Sequence, residues 1–245
     1  MKDKDFSVEV KNLSKNFGNF TAVDNISFEV SKGEIFGFLG ANGAGKTTTI
    51  RMLTGLLKPS NGTGHVAGFD INTQYEQLKG KIGYMSQKFS LYNDLTVMEN
   101  FLFYGGIYGL NEKQIEIRME ELDEELEILS KRKNLTGSLP PGFKQRVALG
   151  CSILHNPHIL FLDEPTGGVD PIARRYFWDL ISLLASKGTT VFVTTHYMDE
   201  AEYCRRISIM NKGKISAIDS PQNLKNHFKL KSIEEIFIHL AGKND

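Results

Sequence analysis

A chain of 245 residues with 40% apolar and 24% charged residues has the make-up of an ordinary globular protein of one or two domains, which argues against a disordered or fibrous chain. Its 29 lysines and arginines balance 29 acidic residues, so no bulk field draws it to a phosphate backbone, and nucleic acid is not expected as a partner. The charged start Met1-Lys2-Asp3-Lys4-Asp5 lacks a signal-peptide core, no apolar run approaches the roughly 20 residues of a membrane span, and Cys151 and Cys204 stand far apart; a reducing compartment and no direct membrane insertion are expected.

In chain order, Val8-Glu9-Val10, Phe20-Thr21-Ala22-Val23 and Ile26-Ser27-Phe28-Glu29-Val30 read as short strands. The turn residues Asn16-Phe17-Gly18-Asn19 and Ser31-Lys32-Gly33 bound them, which predicts an antiparallel β layer. Glu34 to Leu39 is a largely apolar strand running into a glycine-rich loop, and Ile50, Leu53 and Leu57 give helical spacing to Thr47–Leu57. An aromatic-rich segment follows from Thr96 to Tyr108, and then Ile115, Met119, Leu122, Leu126 and Leu129 mark one stripe of a long helix. The opposite face of that helix carries Glu120-Glu121-Leu122-Asp123-Glu124-Glu125, read as a solvated face rather than a metal or basic-partner site.

From His158 onward strands and helices alternate: strand Ile159-Leu160-Phe161-Leu162, a helix after Pro171 through Leu184, and strand Thr190-Val191-Phe192-Val193. Two final strands, Ile207–Met210 and Lys214–Ile218, flank the Asn211-Lys212-Gly213 turn. This order predicts an α/β fold with a mixed, mainly parallel sheet covered on both faces, plus the N-terminal antiparallel β subdomain. No internal repeat or low-complexity linker interrupts the chain. It is therefore read as one domain, 1–245, in which 1–87 and 158–245 form the α/β core with its β layer and 88–157 an inserted α-helical subdomain.

Gly40-Ala41-Asn42-Gly43-Ala44-Gly45-Lys46-Thr47, followed by Thr48, fits GxxxxGK[ST], the phosphate-binding P-loop. Without side chains at Gly40, Gly43 and Gly45 the backbone can wrap phosphates and aim N–H groups at them. Lys46 supplies charge to the β- and γ-phosphates, Thr47 offers a hydroxyl to Mg²⁺, and the helix starting here points its positive end at the anion. The apolar strand before the loop and the helix after it supply the context a chance match would lack.

Strand Ile159–Leu162 ends in Asp163-Glu164, which matches a Walker B strand followed by a second carboxylate. Asp163 is read as the Mg²⁺ holder and Glu164 as the acceptor of a proton from the water that attacks the γ-phosphate. An acidic pair at a strand end also occurs as a plain solvated turn, but here it precedes Pro165-Thr166 and follows four apolar residues.

With these motifs in this order, the chain resembles the nucleotide-binding domain of ABC ATPases from about Val8 to Leu240. The resemblance implies an aromatic at Phe17 that stacks on adenine and a Q-loop glutamine at Gln87 that reaches Mg²⁺ and the attacking water. It also implies a D-loop at Asp170 and a switch histidine at His196 that contacts the γ-phosphate. The signature loop departs from the family's LSGGQ: Leu139-Pro140-Pro141-Gly142-Phe143 lacks the serine hydroxyl at Pro140, and its two prolines remove two backbone donors. Proline is tolerated in a first helical turn, and Phe143, Val147, Cys151 and Leu154 share one face, so the helix and its positive end are expected to survive. The altered loop is expected to close over the ATP of a facing subunit through Gly142 and the helix dipole, with Ser138 as a substitute hydroxyl.

Proline-bearing signatures, with Thr195–Cys204 and the tail Ser232–Phe237, are similar to bacterial ABC-2 type multidrug exporter ATPases. The resemblance implies a head-to-tail pair of such domains with ATP and Mg²⁺ between them. It also implies permease subunits at the cytoplasmic face of the cell inner membrane, reached through the Q-loop and the aromatic segment Phe89–Tyr108. Leu91, Tyr92, Phe101, Phe103 and Tyr104 there suit either a groove for a partner's helix or core packing. Competing readings are a non-transport ABC ATPase, which usually carries a long coiled coil or two cassettes, and a nucleotide-dependent switch with weak hydrolysis. A P-loop kinase is opposed by Glu164, Gln87 and His196 together.

Overall fold

In the computed structural model, which describes residues 6–87 and 91–242, β1 (Phe6–Phe17) and β2 (Phe20–Ser31) form a long antiparallel hairpin about Gly18-Asn19. The two strands expected at Phe20–Val23 and Ile26–Val30 are thus one. What looks like a break in the sequence is a pair of facing irregularities, with Asn12 at φ +52° and Asn25 at φ +53°. Their freed amides are taken by side chains: Asn12 N–H donates to Ser27 Oγ at 2.8 Å and Asn25 N–H to Ser14 Oγ at 2.9 Å. β4 (Asn61–Val66) pairs with β1 and β5 (Phe69–Asp70) with β4, giving the order β2-β1-β4-β5. Gly62 in β4 sits at φ +86°, and a Cβ there would lie 2.2 Å from the Asn12 carbonyl oxygen, so the irregularity in β1 demands glycine opposite it.

The second sheet has the order β10-β9-β3-β8-β7-β6. Its strands are β3 (Ile35–Gly40), β6 (Ile82–Met85), β7 (Ile159–Asp163), β8 (Thr190–Thr195), β9 (Arg206–Asn211) and β10 (Lys214–Asp219). All neighbours run parallel except β10, which turns back antiparallel on β9. Between the sheets lies an aromatic core: Phe28 stacks on Phe36 with ring centres 5.7 Å apart, and Phe38 and Phe161 both lean on Phe192 at 5.3 and 5.4 Å. α1 (Lys46–Leu53) stops four residues before the expected Leu57, because Gly55 takes φ +73° and the chain folds back, Leu57 N–H bonding the Arg51 carbonyl at 2.9 Å. α2 (Tyr75–Lys79) is too short to carry a readable stripe.

Between β6 and β7 come α3 (Val97–Ile107), α4 (Glu112–Leu126) and α5 (Pro141–Ile153). Thr96 with Glu99 and Asn111 with Gln114 form capping boxes that start α3 and α4. Ile115, Met119, Leu122 and Leu126 are buried as the stripe requires. Leu129 falls past the helix end, since Glu127 at φ +50° stops α4 and Leu129 opens a 3-10 turn. On the acidic face Glu120, Glu121 and Glu124 are exposed, Asp123 accepts from Leu129 N–H at 2.6 Å and Glu125 pairs with Lys187 at 2.5 Å. Among the described residues no cluster of three or more His, Cys, Asp or Glu side chains is placed to hold a metal.

Of the aromatic segment, Phe101 is fully buried against α5, where its ring would meet a Cβ at Gly150 at 2.6 Å. It therefore belongs to the core and lines no groove, whereas Tyr92 and Phe103 are exposed and pack edge to face at 4.7 Å. Phe89 lies outside the described residues. α6 (Pro171–Ser186) covers the sheet, and α7 (Pro221–Phe228) and α8 (Ile233–Gly242) close the chain. Cys151 and Cys204 are both free and buried.

Candidate active site

β3 hands the chain to the glycine-rich loop at Gly40, and α1 takes it up at Lys46. Two glycines are required by contact. A Cβ at Gly40 would lie 2.6 Å from the Met210 carbonyl oxygen, and one at Gly45, whose φ is +108°, would lie 2.5 Å from that of Ala22. Gly43 has open space about it and serves through its φ of +79°. Ala44 turns its methyl into the core and bonds its N–H to the Ala41 carbonyl at 3.1 Å, while Asn42 and Thr48 face the cleft. α1 begins with no side-chain cap and no acidic residue in its first turn, so its positive end meets the loop unopposed.

Lys46 is buried beneath this loop. Its Nζ donates to the carbonyls of Gly40 at 2.7 Å and Ala41 at 3.1 Å and stands 3.1 Å from Glu164 Oε1. Next to it the Thr47 hydroxyl donates to Asp163 Oδ1 at 3.2 Å, and Thr194 donates to the same oxygen at 2.7 Å. Burial pushes the Asp163 carboxyl above the usual carboxylate range, and the hydrogen bonds from Thr194 and Thr47 pull against it.

Glu164 adopts φ +49°, a left-handed conformation that costs a non-glycine residue about 1–3 kcal/mol. Its N–H is held by the Thr194 hydroxyl and carbonyl at 3.0 and 3.1 Å. That turn aims the carboxylate back across the loop, where Lys46 meets Oε1 and both Gln87 Nε2, at 2.9 Å, and His196 Nδ1, at 3.0 Å, meet Oε2. Four residues far apart in sequence, 46, 87, 164 and 196, thus converge where β3, β6, β7 and β8 end. Parallel strands present all their carboxyl ends on one side, which is why these motifs meet.

The cleft so formed holds about 380 Å³. Phe17 ends β1 half exposed on its wall, with Lys15 Nζ 5.2 Å from the ring centre. Its hairpin partner Phe20 is more exposed still and shares the wall. Sequence reading passed over Phe20 and Thr194. An exposed aromatic paired across a tight turn was the available signal for Phe20; Thr194 gave none, being a threonine inside a β-branched strand.

The signature residues and Asp170 lie apart from this cleft. Pro140 caps α5 and Pro141 is its first residue, with the Phe143 and Lys144 N–H groups both 3.0 Å from the Pro140 carbonyl, so the helix begins as expected. Leu139 is buried in the core, while Pro140 and Pro141 are exposed. The Ser138 hydroxyl is turned onto the Leu135 carbonyl at 2.7 Å. Asp170 caps α6 through Ile172 and Ala173 N–H, both at 3.0 Å, and shares a separate hollow with Gly142.

A family model described as ABC transporter matches residues 23–167, a span that includes the glycine-rich loop, Gln87 and Glu164 but not Phe17, Asp170 or His196. The chain is 50% identical over 218 residues to the probable multidrug ABC transporter ATP-binding protein YbhF of Escherichia coli (strain K12); the match covers 89% of this chain and 38% of YbhF. It is 38% identical over 218 residues to the linearmycin resistance ATP-binding protein LnrL of Bacillus subtilis (strain 168), covering 89% of this chain and 70% of LnrL. Among solved structures it superposes on the dimeric post-hydrolysis ATP-binding cassette MJ0796 bound to ADP and Pi. That likeness has a TM-score of 0.78 and 26% identity and covers 87% of this chain and 98% of the other.

Proposed function

The chain belongs to the ABC transporter family, and from that premise we propose that it binds and hydrolyses ATP to power a membrane exporter of drugs or other small molecules. The observation that carries this reading is the strained Glu164, held at once by Lys46, Gln87 and His196 beside the loop. A carboxylate in left-handed backbone, aimed at a phosphate cradle, is poor economy for a fold and sound placement for a general base.

An arriving triphosphate competes with Glu164 for Lys46. As the ammonium turns to the β- and γ-phosphates, Glu164 Oε1 is released toward the attacking water, and Gln87 and His196 keep the carboxylate oriented through Oε2. The adenine takes the exposed aromatic wall at Phe17 and Phe20. Thr47, Asp163 and Gln87 present a hydroxyl, a carboxylate and an amide oxygen, hard donors that suit Mg²⁺, which supplies charge neutralisation at the transferred phosphoryl group. Because Pro140, Pro141, Gly142 and Asp170 lie outside the cleft, a second copy or related cassette is needed to bring a signature loop onto the γ-phosphate. No helix among the described residues is long and apolar enough to cross a membrane. On this reading of the family, contact with the cytoplasmic face of the inner membrane runs through permease subunits.

The test is Glu164→Gln, which should keep ATP binding and lower turnover by roughly 10²- to 10⁴-fold, the usual worth of a general base. Lys46→Ala should instead lose nucleotide affinity by calorimetry. Wild-type phosphate release from Glu164→Gln would remove Glu164 from the role, and a wild-type chain that binds ATP without releasing phosphate, alone or with its permease, would favour a nucleotide switch.

A further inference from the structure

Four residues beyond His196 the fold buries a carboxylate that lies outside the cleft around Lys46 and Glu164. Glu200 is fully buried; its Oε1 accepts from the Thr166 hydroxyl at 2.6 Å, while Oε2 has no hydrogen-bond partner. Arg174, on the first turns of α6, brings Nε to 3.8 Å from the same Oε1 and Nη1 to 3.8 Å from Asp199. Its guanidinium carbon lies 4.0 Å from the centre of the Tyr197 ring, and that ring is centred 4.2 Å from the His196 imidazole. On the other side, buried Gln145 of α5 donates to the Pro165 carbonyl at 2.7 Å, one residue from Thr166.

One buried charge thus meets the turn after Glu164 and the start of α6 behind Asp170 from the segment that bears His196, and Gln145 ties the signature helix α5 to the same turn. Burying a carboxylate is costly unless it is paired and hydrogen-bonded, and an apolar side chain would fill the space at less cost. At 3.8 Å the pair with Arg174 makes no hydrogen bond, and Arg174 Nε is likewise buried without one. The contact is therefore one that a small approach of α6 toward residues 197–200 would close.

We propose that Glu200 and Arg174 are positioning residues: through Tyr197 they set the place of His196 against Glu164, and movement of α5 or α6 reaches His196 through them. This rests on the reading of His196 and Glu164 as parts of the hydrolytic centre. Glu200→Gln keeps the shape and an acceptor for Thr166 and removes the charge; Arg174→Gln removes the other partner, and Arg174→Lys keeps the charge.

In steady-state ATPase assays of the full chain, Glu200→Gln and Arg174→Gln should each lower kcat roughly 10- to 100-fold, the scale expected when a reacting group is misplaced by about 1 Å. KM for ATP should stay within about twofold, and Arg174→Lys should recover part of the loss. Combined with His196→Ala, either change should add almost nothing to the loss from His196→Ala alone. If His196→Ala is impaired and the second change multiplies the defect, or if folded Arg174→Gln keeps wild-type kcat, the positioning role is overturned while the hydrolytic reading stands. If His196→Ala alone keeps wild-type kcat, the reading of the switch histidine falls and the positioning role falls with it.

Discussion

Glu164 and His155 show how one residue's surroundings set its chemistry. Glu164 is held in strained backbone by the Thr194 hydroxyl and carbonyl, so the side chain's direction is decided by a strand thirty residues on. His155 is a contrasting case of a titratable group with a purely structural post. Its ring stacks on Tyr108 with centres 3.6 Å apart, Nε2 lies 2.9 Å from the Ile82 carbonyl oxygen, and Nδ1 is buried without a partner. Burial pulls its pKa from 6.5 to about 4. Between those values the unfolded chain takes up a proton that the folded chain refuses. The neutral ring's contribution is therefore complete above pH 6.5 and lost as pH falls toward 4, at most about 3 kcal/mol. Urea unfolding at about pH 7.5 and about pH 5 should show the loss, and His155→Gln should flatten it; an unchanged pH dependence in that variant would place the titration elsewhere.

At the scale of elements, the site depends on how closely α3 and α5 approach. Gly150 lies on α5 where a Cβ would stand 2.6 Å from the Phe101 ring and 3.0 Å from Leu126. Alanine in a helix interior gains up to about 1 kcal/mol over glycine, yet overpacking against a rigid ring costs about 1–3 kcal/mol. Gly150→Ala should therefore lower the urea midpoint, and Phe101→Leu in the same chain should recover part of the loss; a stabilised Gly150→Ala would mean the helices separate freely. The start of α5 follows different physics. Pro141 needs no N–H partner at the first helical position, so the prolines that remove the signature serine leave the helix intact.

For the whole molecule, the proposed function assigns two separate half-sites to the described residues: the cleft around Lys46 and Glu164, and the face bearing Pro140, Gly142 and Asp170. ATP with the Glu164→Gln variant should produce a dimer in size-exclusion chromatography. Adding Pro140→Asp should abolish that dimer while leaving ATP binding intact, because aspartate is a good helix cap and also a negative charge facing the partner's γ-phosphate. A dimer that survives this charge would move the interface elsewhere.

The contiguous parts were legible in the sequence. The loop Gly40 to Thr48 needs glycines and a lysine at fixed local spacing, the stripe of α4 follows one helical period, and the buried runs of β3, β7 and β8 announce a parallel sheet. The family order of motifs supplied Gln87 and His196. What depended on contact between distant strands was not legible: β4, whose Gly62 answers a bulge in β1, the core position of Phe101, and the anchoring of Asp163 and Glu164 by Thr194. Local spacing constrains backbone and period, so the sequence alone determined the phosphate loop and the α/β order. Only the tertiary structure decided that Thr194 anchors Asp163 and Glu164, that Phe101 packs in the core and that Glu200 is buried beside Thr166, because those partners are chosen by strand register and packing across the sheet.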